Sequence, residues 1–395
     1  MKVAMCHHDF NKQGGIERYL VELVYNLSRH EDTIIDLYVN DYDENLLKEH
    51  IKNINIKKIN IIKNPNFLMT LSFAINSYIQ IKKYKDEYDI IHGHGAATLR
   101  QDIITAHSCH KAWFIYSINN VNGLMAKLKK LLNPIHYITI AIETIQYRKN
   151  NCKKIIAVSQ SVKDEIKKFY KVDDEKIKVV YNGVNIEEFH PRNKQIYRDD
   201  IRRKYGLKSE DIVLLFVASE FKRKGLEFVI KALYELRKDN VYLMVVGPDD
   251  RLPYENLSVK LGIKEKVIFT GASKNVKEFF ASSDIFIFPT TYEPFGQVIT
   301  EAMASGIPVI TSKCAGAAEI IEDGYDALLL NDPTDVNEIV EKLNLLINDS
   351  DLIKKIGFNG RYKVENYTWK NTALKTLEIY KEVIGEYDNE KDFGI

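Results

Sequence analysis

Residues 285–311 read IFIFPTTYEPFGQVITEAMASGIPVIT, in which two short apolar runs flank a polar loop and a helical stretch. The runs at 285–288 and 309–311 are each preceded by Asp or Pro, and such short apolar runs are typical of buried parallel strands. The stretch therefore predicts a strand–loop–helix–strand unit. Units of this kind build a parallel sheet that is covered by helices on both faces.

The same alternation of β-rich runs and amphipathic helical patterns extends through the 395 residues, which predicts an α/β protein throughout. A clear helix is predicted at 15–28. Further strands are predicted at 2–6, 34–39, 54–62, 90–92, 102–106, 154–158, 178–181, 213–218, 241–246 and 267–270.

The chain is longer than one hydrophobic core usually serves, so two domains are expected. Apolar periodicity lapses in the polar stretch NGVNIEEFHPRNKQIYRDD at 182–200. We therefore predict an N-terminal domain at 1–190 and a C-terminal domain at 191–370. A final helix within 371–395 has no strand of its own to cover, and we expect it to pack back on the N-terminal domain.

Charge and cysteine usage exclude several classes of protein. Lys and Arg total 56 against 55 for Asp and Glu, so no global field attracts nucleic acid. Cys6, Cys109, Cys152 and Cys314 form no CxxC pair, which argues against a zinc site or a disulfide scaffold. The first ten residues, MKVAMCHHDF, lack a signal segment, and the apolar stretch 135–145 is shorter than the ~20 residues of a bilayer span. We expect a cytoplasmic protein.

Two carboxylates lie eight residues apart in the opening stretch. Glu293 falls on the predicted loop and Glu301 one to two turns into the helix, so both could face one ligand and accept hydrogen bonds from paired hydroxyls. Between them, Phe295, Gly296 and Gln297 offer backbone N–H groups at a helix N-terminus, which favours an anion such as a diphosphate. The alternative is that both glutamates are simply solvated.

A second motif, SEFKRKGLEFVIKAL, also stands at a strand-to-helix junction. Arg223 and Lys224 precede Gly225 and the helix, where two cations suit phosphate oxygens. Taken alone, the segment could be a solvated basic turn. Together, the two motifs bring cations and carboxylates to the carboxyl ends of strands in one sheet, which is where open α/β sheets bind ligands.

These motifs resemble those of the family-4 glycosyltransferases of the GT-B fold. Glu293 and Glu301 match the family signature E-x7-E, and Arg223, Lys224 and Gly225 match its RKG motif. NKQGGIERY resembles its N-terminal glycine loop, and VVYNGVNIEEFHP resembles its segment entering the interdomain linker. Bacterial enzymes of envelope polysaccharide and lipopolysaccharide-core synthesis are among the similar proteins.

The resemblance implies two Rossmann-like domains whose parallel sheets face an interdomain cleft. It implies an acceptor-side domain at 1–190 and a nucleotide-sugar donor domain at 191–370. The enzyme would transfer a hexose from a UDP- or GDP-linked sugar, with retention, to a glycan or a lipid-linked acceptor.

The resemblance also assigns roles to residues. Arg223 and Lys224 would stabilise the departing diphosphate in place of a metal, so no obligatory metal or other cofactor is expected. Glu293 would bind a hydroxyl of the transferred sugar, and His107 the sugar or the acceptor, although His107 could equally be structural. The residues expected to bind the nucleotide sugar are Gly14, Gly15, Thr270, Gly271, Phe295, Gly296, Gln297, Val298 and Glu301.

The segment GLMAKLKKLLNPIHY at 123–137 predicts an amphipathic helix with leucines on one face and lysines beside it. It could seat the protein peripherally on the anionic inner face of the plasma membrane, which would suit a lipid-linked acceptor. Alternatively, the leucines pack onto the first domain's own sheet.

Other functions compete with the transferase. A nicotinamide oxidoreductase is disfavoured because the first strand is followed by GGIER rather than GxGxxG. A nonhydrolysing sugar-nucleotide epimerase shares the fold but matches the motifs less well. A catalytically silent sugar-nucleotide-binding partner stays open, and donor hydrolysis would distinguish it.

Overall fold

The computed structural model describes residues 1–30, 32–48, 53–121 and 123–392, with the backbone alone at 48 and 386–392. The chain forms two compact units, residues 1–183 with 369–395 and residues 184–368. The division lies seven residues before the predicted boundary at 190, because Phe189 is buried against Phe280 of the second unit with ring centroids 5.7 Å apart. The last three residues of the predicted segment 371–395 lie outside the described residues.

The first unit contains a seven-stranded parallel sheet with the strand order β5-β3-β1-β6-β7-β8-β9, and a two-stranded ribbon β2-β4. Its strands are β1 Lys2–Cys6, β2 Asp9–Phe10, β3 Ile34–Val39, β4 Asp41–Tyr42, β5 Ile54–Lys58, β6 Ile90–His94, β7 Ile103–Ala106, β8 Lys154–Ala157 and β9 Ile177–Val179. Its helices are α1 Gly15–Ser28, α2 Glu44–Lys48, α3 Asn66–Lys83, α4 His110–Asn119, α5 Leu124–Leu131, α6 Pro134–Gln146 and α7 Gln160–Tyr170, joined by the final helix, Trp369–Asp392.

The second unit contains a six-stranded parallel sheet with the order β12-β11-β10-β13-β14-β15. Its strands are β10 Ile212–Val217, β11 Val241–Val246, β12 Val267–Gly271, β13 Ile285–Phe288, β14 Val309–Ser312 and β15 Leu328–Leu330. Its helices are α8 Asn193–Lys204, α9 Leu226–Leu236, α10 Leu252–Lys260, α11 Val276–Ser282, α12 Gln297–Ala304, α13 Val336–Ile347 and α14 Ser350–Val364, and the final helix, Trp369–Asp392, is α15.

Both large sheets have the strand order of a Rossmann fold, so the prediction of two Rossmann-like α/β halves is confirmed. In each sheet the order reverses beside the first strand, between β1 and β6 and between β10 and β13. The connections that leave those neighbouring strands run to opposite sides, which opens a crevice at their carboxyl ends. The predicted functional motifs follow β10 and β13.

The final helix, α15, contacts α1 within the first unit, where the Trp369 ring lies edge-on to Tyr19 with centroids 5.3 Å apart. Tyr380 on the same helix is fully buried and hydrogen-bonds His92 at 2.7 Å. The apolar face of α15 therefore completes the first unit's core, although the helix follows the whole second unit in sequence.

One of the two interpretations of the amphipathic helix α5 required its leucines to pack against the first unit's sheet. Leu124, Leu128 and Leu132 are 74, 41 and 78% exposed, so these three leucines do not cover the first unit's sheet, whereas Leu131, the fourth leucine of the pattern, is half-buried. The break at Asn133 and Pro134 separates α5 from α6 and lets α5 project its apolar side outward. Among the described residues, no helix is long and apolar enough to cross a bilayer.

Candidate active site

Two loops of the second unit carry the predicted chemistry, one after β10 and one after β13. These strands are neighbours at the point where the strand order reverses, so the loops diverge around a crevice. Arg223 and Lys224 lie on the first loop and Glu293 lies on the second. The fold thus brings Glu293 beside two residues, Arg223 and Lys224, that lie 70 and 69 residues before it in sequence.

Lys224 and Glu293 form a direct ion pair between Nζ and Oε2. Both are sheltered, with side chains 6 and 15% exposed, and Nζ also lies 5.3 Å from the centroid of the Phe288 ring. Burial, and to a lesser degree the Arg223 guanidinium, lowers the pKa of Lys224 well below its ordinary value. The Glu220 carboxylate partly opposes this shift in the pKa of Lys224.

Arg223 is held beside this pair by several polar contacts. Its Nε and Nη2 donate to the two carboxylate oxygens of Glu220 at 3.1 and 2.9 Å, and Nη1 donates to the Tyr292 carbonyl at 2.7 Å. Nη1 also lies 3.9 Å from Glu293 Oε2. The guanidinium is therefore pre-positioned, so little rotamer entropy would be lost if it bound the predicted phosphate.

Close backbone packing fixes the first loop. Gly225 caps the N-terminus of α9 with φ +84°, and a Cβ there would lie 2.3 Å from the Pro289 carbonyl oxygen. The Thr291 amide and hydroxyl each donate to the Arg223 carbonyl at 3.0 Å. Glycine is thus needed at this position by both conformation and space, and it allows the two loops to touch.

Backbone hydrogen bonds to the segment after β14 fix the second loop. The Gly316 amide donates to the Glu293 carbonyl at 2.9 Å, and the Ala317 amide donates to the Phe295 carbonyl at 2.7 Å. Gly296, with φ +96°, then turns the chain into α12, which begins at Gln297. The N–H groups at Gly296, Gln297 and Val298 thus lie at a helix N-terminus, as the sequence predicts.

The remaining predicted donor-binding residues lie at the same sheet edge. Glu301 is in α12, one turn after Gln297, and is 4% exposed. Thr270 and Gly271 end β12 at its carboxyl end, where the Gly247 amide donates to the Gly271 carbonyl at 3.0 Å. Their positions fit a ligand that extends across the carboxyl edge of this sheet, and their individual roles stay predictions.

In the first unit, Gly14 and Gly15 stand at the N-terminus of α1, which follows β1 at that sheet's own reversal point. The carboxylate of Glu17, which the motif analysis did not single out, occupies the same helix turn and lies 3.7 Å from His7 Nε2. The nearby His7 imidazole is the main cause of a lowered pKa of Glu17. Glu17 therefore contributes a negative charge next to the predicted phosphate loop.

His107 follows β7 and contacts two other rings of the first unit. Its Nε2 lies 3.3 Å from His94 Nδ1, and its ring lies edge-on to Tyr19 with centroids 4.7 Å apart. Desolvation and the nearby imidazoles of His7 and His92 hold its pKa well below the ordinary value. A neutral His107 at pH 7 can hydrogen-bond a hydroxyl but provides no positive charge.

Three supporting residues escaped the sequence analysis. Glu220 orients Arg223, the Asp249 carboxylate accepts a hydrogen bond from the Phe221 amide at 2.6 Å, and Thr291 joins the two loops. Glu220 could have been found from its position three residues before Arg223 on a turn. Asp249 follows a different strand, β11, so its contact with Phe221 had no local signal.

Among the residues that the structure describes, no three or more His, Cys, Asp or Glu side chains are grouped so as to hold a metal ion. Several histidines of the first unit contact one another or hydroxyl groups, including the pairs His94–His107 and His110–His136. His92, for example, contacts Tyr380 Oη and Thr105 Oγ1 at 2.7 and 2.8 Å.

A parallel sheet of this order, with paired cations and a carboxylate at its reversal point, is the arrangement that the resemblance predicts for the donor-side half of a GT-B enzyme. Two family models match in agreement with this: "Glycosyltransferase Family 4" over residues 13–188 and "Glycosyl transferases group 1" over residues 197–363. The chain belongs to the family-4 glycosyltransferases of the GT-B fold, enzymes that act on sugar-nucleotide donors.

Two relatives support the assignment. An uncharacterized glycosyltransferase of Methanocaldococcus jannaschii is 30% identical over 96% of this chain and 98% of its own length. The lipopolysaccharide glucosyltransferase WaaG of Escherichia coli is 29% identical over 62% of this chain and 66% of its own length.

Solved structures have the same fold. A WaaG crystal structure superposes with a TM-score of 0.76 at 21% identity, covering 96% of this chain and 99% of WaaG. The structure of HepE from Anabaena in complex with UDP-glucose superposes with a TM-score of 0.73 at 19% identity, covering 97% and 100% of the two chains.

The substitution Gly225→Ala should disturb the loop contact that supports the ion pair. Its methyl group would meet the Pro289 carbonyl and would also force alanine to a positive φ, so we expect a loss of unfolding free energy on the order of 3 kcal/mol. The matched control is Gly262→Ala, which also has a positive φ but open space around its Cβ, and which should cost only about 1 kcal/mol. Denaturant titration measures both, and equal losses would contradict the close-contact account.

Proposed function

We propose that this enzyme transfers a hexose from a UDP- or GDP-linked donor to a glycan or lipid-linked acceptor, with retention of anomeric configuration. The observation that carries the proposal is the buried Lys224–Glu293 pair beside Arg223, at the reversal point of the donor-side sheet. Such a pair offers cations for a diphosphate and, directly beside them, an acceptor for a sugar hydroxyl.

Charge development explains why these groups would accelerate the reaction. As the bond between the sugar and the diphosphate breaks, negative charge grows on the leaving oxygen. Arg223, Lys224 and the N-termini of α9 and α12 would stabilise that charge, and the sheltered setting strengthens each interaction. Glu293 would accept a hydrogen bond from the sugar while it keeps Lys224 in place. No side chain is assigned as a nucleophile.

The choice of donor rests on the relatives. WaaG is named as a glucosyltransferase of lipopolysaccharide, and the HepE structure contains UDP-glucose. These names favour a hexose and a uridine nucleotide, and they favour envelope polysaccharide or glycolipid synthesis as the pathway. His107 and the loop of Gly14 and Gly15 are the proposed ligand contacts of the first unit.

Replacing either member of the buried pair should slow turnover. Lys224→Met and Glu293→Gln should each lower kcat on the order of 100-fold, as expected when a transition-state contact of about 3 kcal/mol is lost. The assay measures release of UDP or GDP from candidate donors. Lys231→Met and Glu227→Gln are the matched controls, since they alter an exposed ion pair on α9 at 2.6 Å and should leave turnover unchanged. Near-normal rates in both site variants would refute the site assignment.

We also propose that the reaction needs no metal ion, because Arg223 and Lys224 can supply the positive charge that a metal supplies in other transferases. Treatment with a chelator should leave most of the activity, and added Mg²⁺ should change it little. Loss of activity with the chelator, followed by rescue with a divalent cation, would contradict this part of the proposal.

We propose that the enzyme works in the cytoplasm and touches the membrane through α5. Its exposed leucines stand beside Lys127 and Lys129, a combination that fits an anionic lipid surface. The thiols of Cys6, Cys109 and Cys152 are free and buried, which fits a reducing compartment.

The double variant Leu124→Glu/Leu132→Glu should bind phosphatidylglycerol vesicles at least about tenfold more weakly in a flotation assay, because it places charge on the lipid-facing side. Phe358→Glu is the control, since Phe358 is 71% exposed in the second unit and should not affect binding. Equal vesicle binding by all three proteins, or no binding by the wild type, would rule out membrane contact through α5.

A further inference from the structure

A cavity of about 810 Å³ opens in the first unit at the amino ends of β6, β7 and β8. This is the sheet edge opposite to the one that bears His94 and His107. The lining is drawn from the end of α3, the turns before β7 and β8, and the segment before β9. Its volume lies within the roughly 300–1,000 Å³ range of small-molecule sites.

Positive charge dominates the lining, with seven Lys and Arg side chains against three carboxylates. Lys82, Lys85, Arg100 and Lys149 are exposed at the rim, and none of them is paired with a carboxylate within the part of the chain that the structure describes. The Asp102 carboxylate, by contrast, is already engaged, because it accepts a hydrogen bond from the Ile91 amide at 2.8 Å. The rim therefore offers cationic groups that are available to an anion.

Lys176 is deeper than the rim lysines. Its ammonium donates to the carbonyls of Tyr147 and Arg148 at 3.3 and 3.2 Å, and burial lowers the pKa of the group. An anion in the cavity would offset that desolvation cost by a charge-assisted hydrogen bond.

The floor carries an unsatisfied polar side chain. Gln101 is 3% exposed, and neither its amide nitrogen nor its amide oxygen has a hydrogen-bond partner among the described residues. Leaving such a group unpaired costs about 1–3 kcal/mol. Ile81, Ile91 and Cys152, which are also buried, line the same cavity.

We propose that this cavity binds a small phosphorylated ligand, with its phosphate among the rim cations and a hydroxyl or amide group of its uncharged end on Gln101. The carboxamide can donate and accept at once, so it suits a sugar hydroxyl or the edge of a base. Sugar phosphates and nucleotides share this chemistry. The site goes beyond the proposed transfer reaction, because its residues lie at the edge of the sheet away from the predicted catalytic groups.

Hydrogen–deuterium exchange measures protection peptide by peptide, so binding in the cavity can be distinguished from binding at the donor site. Inorganic pyrophosphate, glucose 1-phosphate and UMP are the probes, added to the full-length protein. We expect slower exchange in peptides covering residues 98–103 and 148–154, and stronger protection at equal concentration by glucose 1-phosphate or UMP than by pyrophosphate. The better of the two organic phosphates identifies the ligand class.

Replacing cations at the rim of the cavity with glutamate tests whether they bind the phosphate. Lys82→Glu and Arg100→Glu should each weaken local protection about tenfold, since each removes a charge-assisted contact. Lys83→Glu is the matched control, because Lys83 is the next residue on α3, is exposed and does not line the cavity. Equal weakening by Lys83→Glu would show a diffuse surface effect and would overturn the proposal.

The substitution Gln101→Leu tests the floor of the cavity. It should stabilise the ligand-free protein but weaken the binding of the ligand. Removing an unsatisfied amide should raise the melting temperature of the ligand-free protein, while local protection by glucose 1-phosphate or UMP should fall about tenfold. A variant with undiminished protection would overturn the role of Gln101. The proposal as a whole fails if none of the three soluble phosphates protects these peptides. Protection by phosphatidylglycerol vesicles alone would count as the same failure.

Discussion

The reversal of strand order between β10 and β13 is the constraint on which the active site depends. In a parallel sheet, every strand ends at the same edge, but only at a reversal do two neighbouring strands send their following loops to opposite sides. The crevice that results admits a ligand to backbone N–H groups and to side chains of both loops. Lys224 and Glu293 meet there because β10 and β13 are hydrogen-bonded neighbours, although 69 residues separate them in sequence.

A buried ion pair contributes little net stability to a contact between two loops. Removing both charges from water costs several kcal/mol, and their attraction repays this cost only with good geometry and further hydrogen bonds. Here, Arg223 adds a third charge that is fixed by Glu220, and Gly225 lets the backbones of the two loops approach. Stability alone gives little reason to retain such a group. A ligand with both negative charge and hydroxyls gives a direct one, because it can use the cations and the carboxylate together.

The sequence predicted much of the fold because the central strands of a parallel sheet are continuous apolar runs. β11 and β13 have the predicted bounds, and α1 does as well. Predictions failed at the edges. β5 ends at Lys58 rather than at residue 62, where Ile62 is 53% exposed, and the three-residue strand β15 was missed because a run so short has no measurable period. The two-residue strands β2 and β4 were also missed.

Local motifs likewise located the site but could not supply its partners. Arg223, Lys224, Glu293 and Glu301 were found from their positions beside helix starts. The contact of Asp249 with Phe221 and the position of Glu17 beside His7 depend on which strands are neighbours, which no short stretch encodes. The cavity lined by Gln101 could not be predicted from the sequence either, because its lining residues are spread over positions 78–176.

The central claim is that the loops after β10 and β13 bind the diphosphate of a nucleotide sugar. Calorimetric titration of the wild type and of Arg223→Gln with UDP, GDP and ADP tests it most directly, since binding is measured without knowledge of the acceptor. The account predicts that the wild type binds one of these nucleotides and that the variant binds it at least about tenfold more weakly, through loss of a charge-assisted contact. Equal affinity of the two proteins, or no binding of any diphosphate by the wild type, would contradict it.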